Sequence, residues 1–294
     1  MEFKRTIIRT LSILGQRGAF GYALTEIAKE NDAIIALTAD LCTTSGLDRF
    51  NSSYPERLVN VGIAEQNMVG IAAGISTMKY IPFATTFANF ASLRSCEQMR
   101  HFMGYMKENI KIVGLAGGFA MGMFGTTHYG LEDIAVIRAI PNITILSPSD
   151  CLETAKATIA ASQFNGPVYL RLTGVMNHPM IYKEDYEFEI GKAIQLKDGN
   201  DIAIFATGGM VYQSLQAANQ LEEQGFSCKV VNVHTIKPMD KDAINKAIDA
   251  KLIVTVEEHS VIGGLGSTIA EALSGLINRP PQLMIGVSGE YKMA

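Results

Sequence analysis

Charge is scarce in this chain. Of its 294 residues only 18% are Asp, Glu, Lys or Arg, below the roughly 25% of an average soluble domain. The 25 Lys plus Arg against 29 Asp plus Glu leave a net charge of −4, so no basic excess exists to neutralise a polyanion and nucleic acid is not an expected partner. Cysteine is equally sparse. Cys42, Cys96, Cys151 and Cys228 are scattered, with no C-x-x-C pair and no histidine at zinc spacing, which argues against a disulfide framework or structural metal and predicts a reducing, cytoplasmic setting. No stretch approaches the ~20 apolar residues of a membrane span, and the segment M-E-F-K-R-T-I-I-R-T-L lacks the continuous apolar core of a signal peptide. The expectation is a soluble, unexported protein without membrane contact.

What the chain has in quantity is apolar side chain, at 48%. At roughly 150 residues per domain the length predicts two α/β-sized domains, and the pairing of high apolar content with low charge predicts that some surface is covered by another chain. Short β-branched runs at 33–39, 110–115, 143–146, 168–172, 202–207, 229–233, 252–256 and 283–287 alternate with segments of helical apolar spacing at 64–78, 149–163, 210–224 and 267–277. That alternation predicts two doubly wound α/β domains with mainly parallel sheets. A polar, proline-containing stretch at 177–191 reads as the connection, placing one domain at 1–184 and the other at 185–294. In such sheets ligands sit beyond the carboxyl ends of the strands, so Asp40, Glu65, His128 and Ser147 are the polar residues to weigh.

Taken singly, each has an ordinary explanation. Glu65 opens a predicted helix, where a carboxylate complements the helix dipole; Asp40 is an ordinary turn residue; His128 lies in a Thr-rich loop; Phe87 and Phe90 are ordinary core aromatics. Their order changes the reading. A-D-L at Asp40, G-I-A-E-Q-N at Glu65, T-T-F-A-N-F at Phe87 and Phe90, and G-T-T-H-Y-G-L-E-D at His128 together resemble the pyrimidine-binding domain of transketolase-like thiamine diphosphate enzymes. The later segments D-I-A-I-F-A-T-G-G-M-V, I-K-P-M-D and V-E-E-H-S-V-I-G-G-L-G resemble the C-terminal domain of the same family.

The resemblance implies a site. In the family a carboxyl group bonded to the pyrimidine ring nitrogen shifts the cofactor to its imino form, whose own nitrogen then takes the proton from the reacting carbon; here that group is Glu65. Phe90 is expected to stack on the pyrimidine with Phe87 behind it, Asp40 and Leu41 to border the cofactor's rings, and His128 to face the reacting carbonyl and hydroxyl of a sugar. Arg17 and Thr44 match positions that help hold a substrate phosphate.

Equally informative is what is missing. The family anchors the diphosphate through Mg2+ and a G-D-G segment on another domain, and no G-D-G occurs in this chain. Glycines 117–125 end without the Lys-Ser/Thr of a phosphate loop, and the 263–266 turn belongs to a domain that does not hold the cofactor. The expected molecule is therefore the C-terminal half of a split transketolase, inactive alone. Its partner would be an N-terminal transketolase subunit holding Mg2+ and the diphosphate, in a heterotetramer with two copies of each chain. Three positions depart from sugar-phosphate transketolases: Ala116 in place of a His, Phe124 in place of an Asp, and Gly174 in place of an Arg, with Arg171 three residues earlier expected on the other face of its strand. With Met121 and Met123 alongside, these changes predict an acceptor side suited to a modified or differently charged sugar. After L-M-I-G-V the C-terminus also leaves the family pattern. Alternative readings are a 2-oxo-acid dehydrogenase β subunit, a deoxyxylulose phosphate synthase-like half, or a non-catalytic partner subunit.

Overall fold

In the computed structural model, residues 2–173 and 176–290 are described. The chain begins with α1 (Arg5–Ala28), which breaks direction at Gly15, and β1 (Ile34–Thr38). It continues through α2 (Asp48–Ser53), β2 (Leu58–Asn60), α3 (Glu65–Thr77) and β3 (Ile81–Phe87). Next come α4 (Cys96–Gln98), flanked by π-helical turns, β4 (Lys111–Leu115), α5 (Asp133–Ala139), β5 (Thr144–Leu146), α6 (Cys151–Gln163) and β6 (Val168–Arg171). No helix or strand interrupts the described residues from there to β7 (Ile194–Lys197), which is followed by β8 (Ile202–Ala206), α7 (Met210–Glu223), β9 (Cys228–Asn232) and β10 (Thr235–Lys237). The last elements are α8 (Lys241–Asn245), β11 (Leu252–Ser260), α9 (Leu265–Leu273) and β12 (Gln282–Val287).

Two layered α/β units result. The first sheet has the order β10-β5-β6-β4-β3-β1-β2 and is parallel except where β10 joins β5. The second has the order β12-β11-β8-β9-β7 and is parallel except at β7. The strands of the first sheet are apolar on both faces because both are covered. Phe20 and Leu24 of α1 and Ala157 and Ala161 of α6 pack on Phe83, Val113 and Leu170, while Met68, Val69 and Ala72 of α3 and Ile134 and Ile137 of α5 cover Leu37, Ile112 and Tyr169.

Sequence periodicity misses α1, the short helices α2, α4, α5 and α8, and the strands β2, β3, β7 and β10. Within α1 the Gly15 break (φ 77) interrupts the apolar stripe. The strand β10 belongs by sequence to the second half but pairs with β5 of the first sheet, through Thr235 opposite Leu146, and no local pattern announces a partner so far along the chain.

The two units are joined by polar contacts, some buried and some at the surface, as well as by β10. Asn232 donates to Glu153 at 2.8 Å, and Arg138 makes a two-pronged pair with Glu271 at 2.7 and 2.6 Å. Arg171 and Asp133 form a buried pair, at 2.8 Å and 2% and 0% side-chain exposure. Tyr169 also donates to Asp133, at 2.7 Å, and Arg171 reaches the carbonyls of Gly130 and Glu258. Arg171 therefore lies on the α5 face of the sheet and ties the units together. Breaking a buried pair leaves a charge uncompensated, so Asp133→Ala is expected to lower the unfolding free energy by about 3–5 kcal/mol in a urea titration.

His234 sits at the same junction. It is buried against Phe188 at 4.3 Å between ring centroids, with Nε2 unpartnered. Burial pushes its pKa down from 6.5 to about 4, so the unfolded chain binds more protons between those values, and this group's contribution to stability is lost as pH falls from about 6.5 toward 4. His234→Asn is expected to flatten unfolding free energy against pH in that window relative to the unsubstituted chain, by at most about 1.4 kcal/mol per pH unit.

Candidate active site

The strand order of the first sheet puts β1 between β2 and β3, so the chain departs from β1 in one direction and enters β3 from the other. A crevice at the carboxyl end of the sheet follows from that reversal. Four connections converge on it: the turn after β1, the turn after β2, the segment after β3 and the long loop after β4.

The turn after β1 carries Asp40 in a left-handed conformation (φ 59), one that Asp tolerates better than most residues. Asn60, the last residue of β2, donates to the Asp40 carboxylate at 3.2 Å and accepts from the Asp40 and Gly62 backbone N–H groups at 3.1 and 3.0 Å. This clasp fixes the two turns against each other. Gly62 (φ 73) then reverses the chain, which a side chain would disfavour, so that Glu65 becomes the first residue of α3. The positive helix end supports a carboxylate there, although the Glu65 side chain is only 7% exposed.

Beyond β3 the chain winds as a π-helix over Phe90–Arg94, an uncommon turn often found where side chains must be aimed. Phe90 meets Phe87 edge-on at 5.5 Å. Arg94 folds back over Phe90, its Cζ 3.5 Å from the ring centroid, and its Nη1 donates to Glu65 Oε1 at 3.0 Å.

The loop after β4 is closed at its base by Gly118 and Gly130, whose N–H groups donate to each other's carbonyls at 2.8 and 3.0 Å. Between them the chain bulges over the crevice, placing the His128 ring 5.1 Å from Phe90, 5.5 Å from Phe87 and 5.0 Å from Phe124. Thr127 Oγ1 lies 3.0 Å from His128 Nδ1. Leu41 and Met121 pack with Phe87 and Phe90 in one apolar cluster.

Glu65, Phe87, Phe90 and His128 thus share one crevice, with Asp40 and Leu41 at its edge. Arg17 and Thr44 form a separate pair on the α1 side, where Arg17 Nη1 donates to the Thr44 carbonyl at 3.1 Å. Two glycines make that contact possible. A Cβ on Gly21 would lie 1.8 Å from the Gly46 carbonyl oxygen, and one on Gly46 would lie 2.4 Å from that of Arg17. Among the departures, Ala116 is buried at the end of β4, Phe124 is half exposed beside His128 and Met123 is exposed; Gly174 lies outside the described residues. Ser147 is buried against the second unit, where its N–H donates to the His234 carbonyl. Sequence reasoning passed over Asn60 and Arg94. Arg94 carried one signal, an arginine four residues after Phe90 of the T-T-F-A-N-F motif.

These residues fit part of a thiamine diphosphate site. An aromatic face and a nearly buried carboxylate already enclose a flat cation, the Arg94 guanidinium, as they would a protonated pyrimidine. Among the described residues no three His, Cys, Asp or Glu converge as metal ligands. Around the crevice Ile63, Leu93, Met123 and Phe124 are exposed, an apolar rim of the kind that another chain covers.

Comparison with known proteins decides the family. Residues 14–174 match the transketolase pyrimidine binding domain and residues 191–291 the transketolase C-terminal domain. The chain belongs to the transketolase family. Within it, the 6-deoxy-6-sulfo-D-fructose transketolase subunit of a Clostridium species is 42% identical over 253 residues, which cover 85% of this chain and 78% of that protein. An apulose-4-phosphate transketolase subunit of Phocaeicola vulgatus is 39% identical over 281 residues, 95% of this chain and 89% of that protein. A solved structure described as a split gene transketolase, inactive beta4 tetramer, superposes with a TM-score of 0.86 at 40% identity, covering 94% of this chain and 90% of that one. In this transketolase chain no described helix is long and apolar enough to cross a membrane.

Proposed function

We propose that this chain is the C-terminal subunit of a two-subunit, thiamine diphosphate-dependent transketolase that moves a two-carbon ketol unit from a ketose to an aldose. The observation that carries the proposal is the nearly buried Glu65 carboxylate beside the Phe90 face, in a chain that matches separately named transketolase subunits over 78% and 89% of their lengths. When bound, the cofactor supplies the stabilised carbon nucleophile that cleaves and forms the sugar's carbon–carbon bond. Glu65 holds a proton at the pyrimidine ring nitrogen, Phe90 and Phe87 fix the ring plane, and Leu41 and Asp40 border the rings. His128, supported by Thr127, is placed to donate to the sugar's carbonyl or hydroxyl oxygen.

The partner in this reading is an N-terminal transketolase subunit that covers the apolar rim and supplies Mg2+ and the diphosphate ligands, in a cytoplasmic heterotetramer with two copies of each chain. We place the division between the pyrimidine-binding and C-terminal domains near residue 185, within the stretch after β6. Arg17 and Thr44 are assigned to substrate binding at the outer edge of the crevice.

The sugar is proposed to be a modified one. Phe124 against His128 and the exposed Met123 give the acceptor side an apolar wall, which suits a sugar whose hydroxyls are fewer or differently placed than in an ordinary ketose or aldose. Two relatives bear names that specify a sulfo-sugar and a branched sugar phosphate, both departures from the ordinary sugar phosphates.

Two outcomes are expected of the reconstituted pair. Glu65→Gln removes the proton-sharing group and should lower ketol transfer by at least about 100-fold, the lower end of general acid–base effects; unchanged transfer contradicts the assignment. In side-by-side assays, a 6-deoxy-6-sulfo ketose or a branched ketose phosphate should be turned over more efficiently than xylulose 5-phosphate with ribose 5-phosphate, and the reverse order overturns the sugar assignment.

A further inference from the structure

We propose that Arg94 is a built-in stand-in for the cofactor's pyrimidine ring, seated between Phe90 and Glu65 in the chain alone and displaced when the cofactor enters. The inference rests on the functional reading above and goes beyond it, because nothing in that reading requires a cation at this position.

The geometry points to a shared slot. The Arg94 Cζ lies 3.5 Å from the Phe90 ring centroid, a face-on stacking distance that leaves no room for a second flat group between them. The same guanidinium donates to Glu65 Oε1 at 3.0 Å. An aromatic face on one side and a hydrogen-bonded carboxylate at the edge are the two contacts a protonated aminopyrimidine would make here. Guanidinium and pyrimidinium are both flat, delocalised cations with N–H donors in the plane. The arginine reproduces the flat shape and charge of the ring but has no aromatic ring nitrogen, so it occupies the site without performing its chemistry.

Physical reasons also exist for keeping a stand-in. Glu65 is 7% exposed, and an ionised carboxylate that deep is costly without a partner. Arg94 supplies one while its own side chain remains 48% exposed, so a route out to solvent is open. Its main chain is held apart from the side chain's motion, since Gln66 Nε2 donates to the Arg94 carbonyl at 2.9 Å. The exchange can then be confined to side-chain torsions, replacing one cation on Glu65 by another. The competing arrangement is that Arg94 stays on Glu65 through Oε1 and steadies it while the cofactor uses the other oxygen.

Calorimetric titration of thiamine diphosphate, with Mg2+ present, into the reconstituted pair separates these arrangements. An occupant that must leave lowers apparent affinity by the fraction of sites it blocks, and an ion pair with a stacked cation of this exposure corresponds to about tenfold. Arg94→Met is therefore expected to bind the cofactor about tenfold more tightly than the unsubstituted pair, and Arg94→Lys, which keeps the charge but not the flat shape, to fall between. The isolated Arg94→Met chain should melt at a lower temperature than the unsubstituted chain, because Glu65 loses its partner. Affinity rising while stability falls is a combination that a purely structural or steadying role does not produce. Unchanged or weaker binding by Arg94→Met overturns the stand-in role and leaves the functional reading intact, whereas no binding by the unsubstituted pair overturns both.

Discussion

A carboxylate that is nearly buried at the open end of a parallel sheet must be matched by a cation, and this requirement organises the site. The backbone brings Glu65 there by a sequence of local necessities: a short strand ending in Asn60, a left-handed turn at Gly62, and a helix whose positive end receives the side chain. Once in place, the carboxylate stands beside an aromatic face that favours flat, positively charged partners. Such a pocket suits a pyrimidine that acts through the protonation of a ring nitrogen. It also explains the Arg94 guanidinium, which meets the same two requirements from within the chain.

The remaining architecture serves to hold this arrangement at one edge of the molecule. Helices on both faces of the first sheet bury its apolar strands and leave the carboxyl ends free for the crevice. The loop carrying His128 is pinned by the reciprocal Gly118 and Gly130 hydrogen bonds, directly beside Arg171, which donates to the Gly130 carbonyl and, across to the second unit, to that of Glu258. Rigidity at the interdomain junction and position at the site are therefore linked through Gly130. The crevice is bordered by exposed Ile63, Leu93, Met123 and Phe124, an apolar rim of the kind that another surface covers. That accords with the low charge of the whole sequence.

Much of this was legible in the residues. Alternating β-branched runs and helical periodicity give two layered α/β units, and ordered motifs single out Glu65, Phe87, Phe90 and His128, which the fold brings into one crevice. The unread parts have specific physical causes. The strand β10 is defined by a partner in the other unit rather than by its own three residues. The break at Gly15 hides the periodicity of α1. The role of Asn60 rests on hydrogen bonds to two separate turns, and that of Arg94 on a π-helical turn that folds it back over Phe90; neither geometry is encoded in spacing alone. Arg171, expected from strand alternation on the face away from the substrate, is held there by Asp133 and two carbonyls in the interior.

The most direct measurement of the central claim is a crystal structure of this chain with its N-terminal partner, Mg2+ and thiamine diphosphate. The account requires a Glu65 carboxylate oxygen within about 3 Å of the pyrimidine ring nitrogen, with the ring lying on Phe90 and the diphosphate held by the partner chain. A pyrimidine bound elsewhere, or a Glu65 carboxylate that makes no hydrogen bond to the ring, would contradict it.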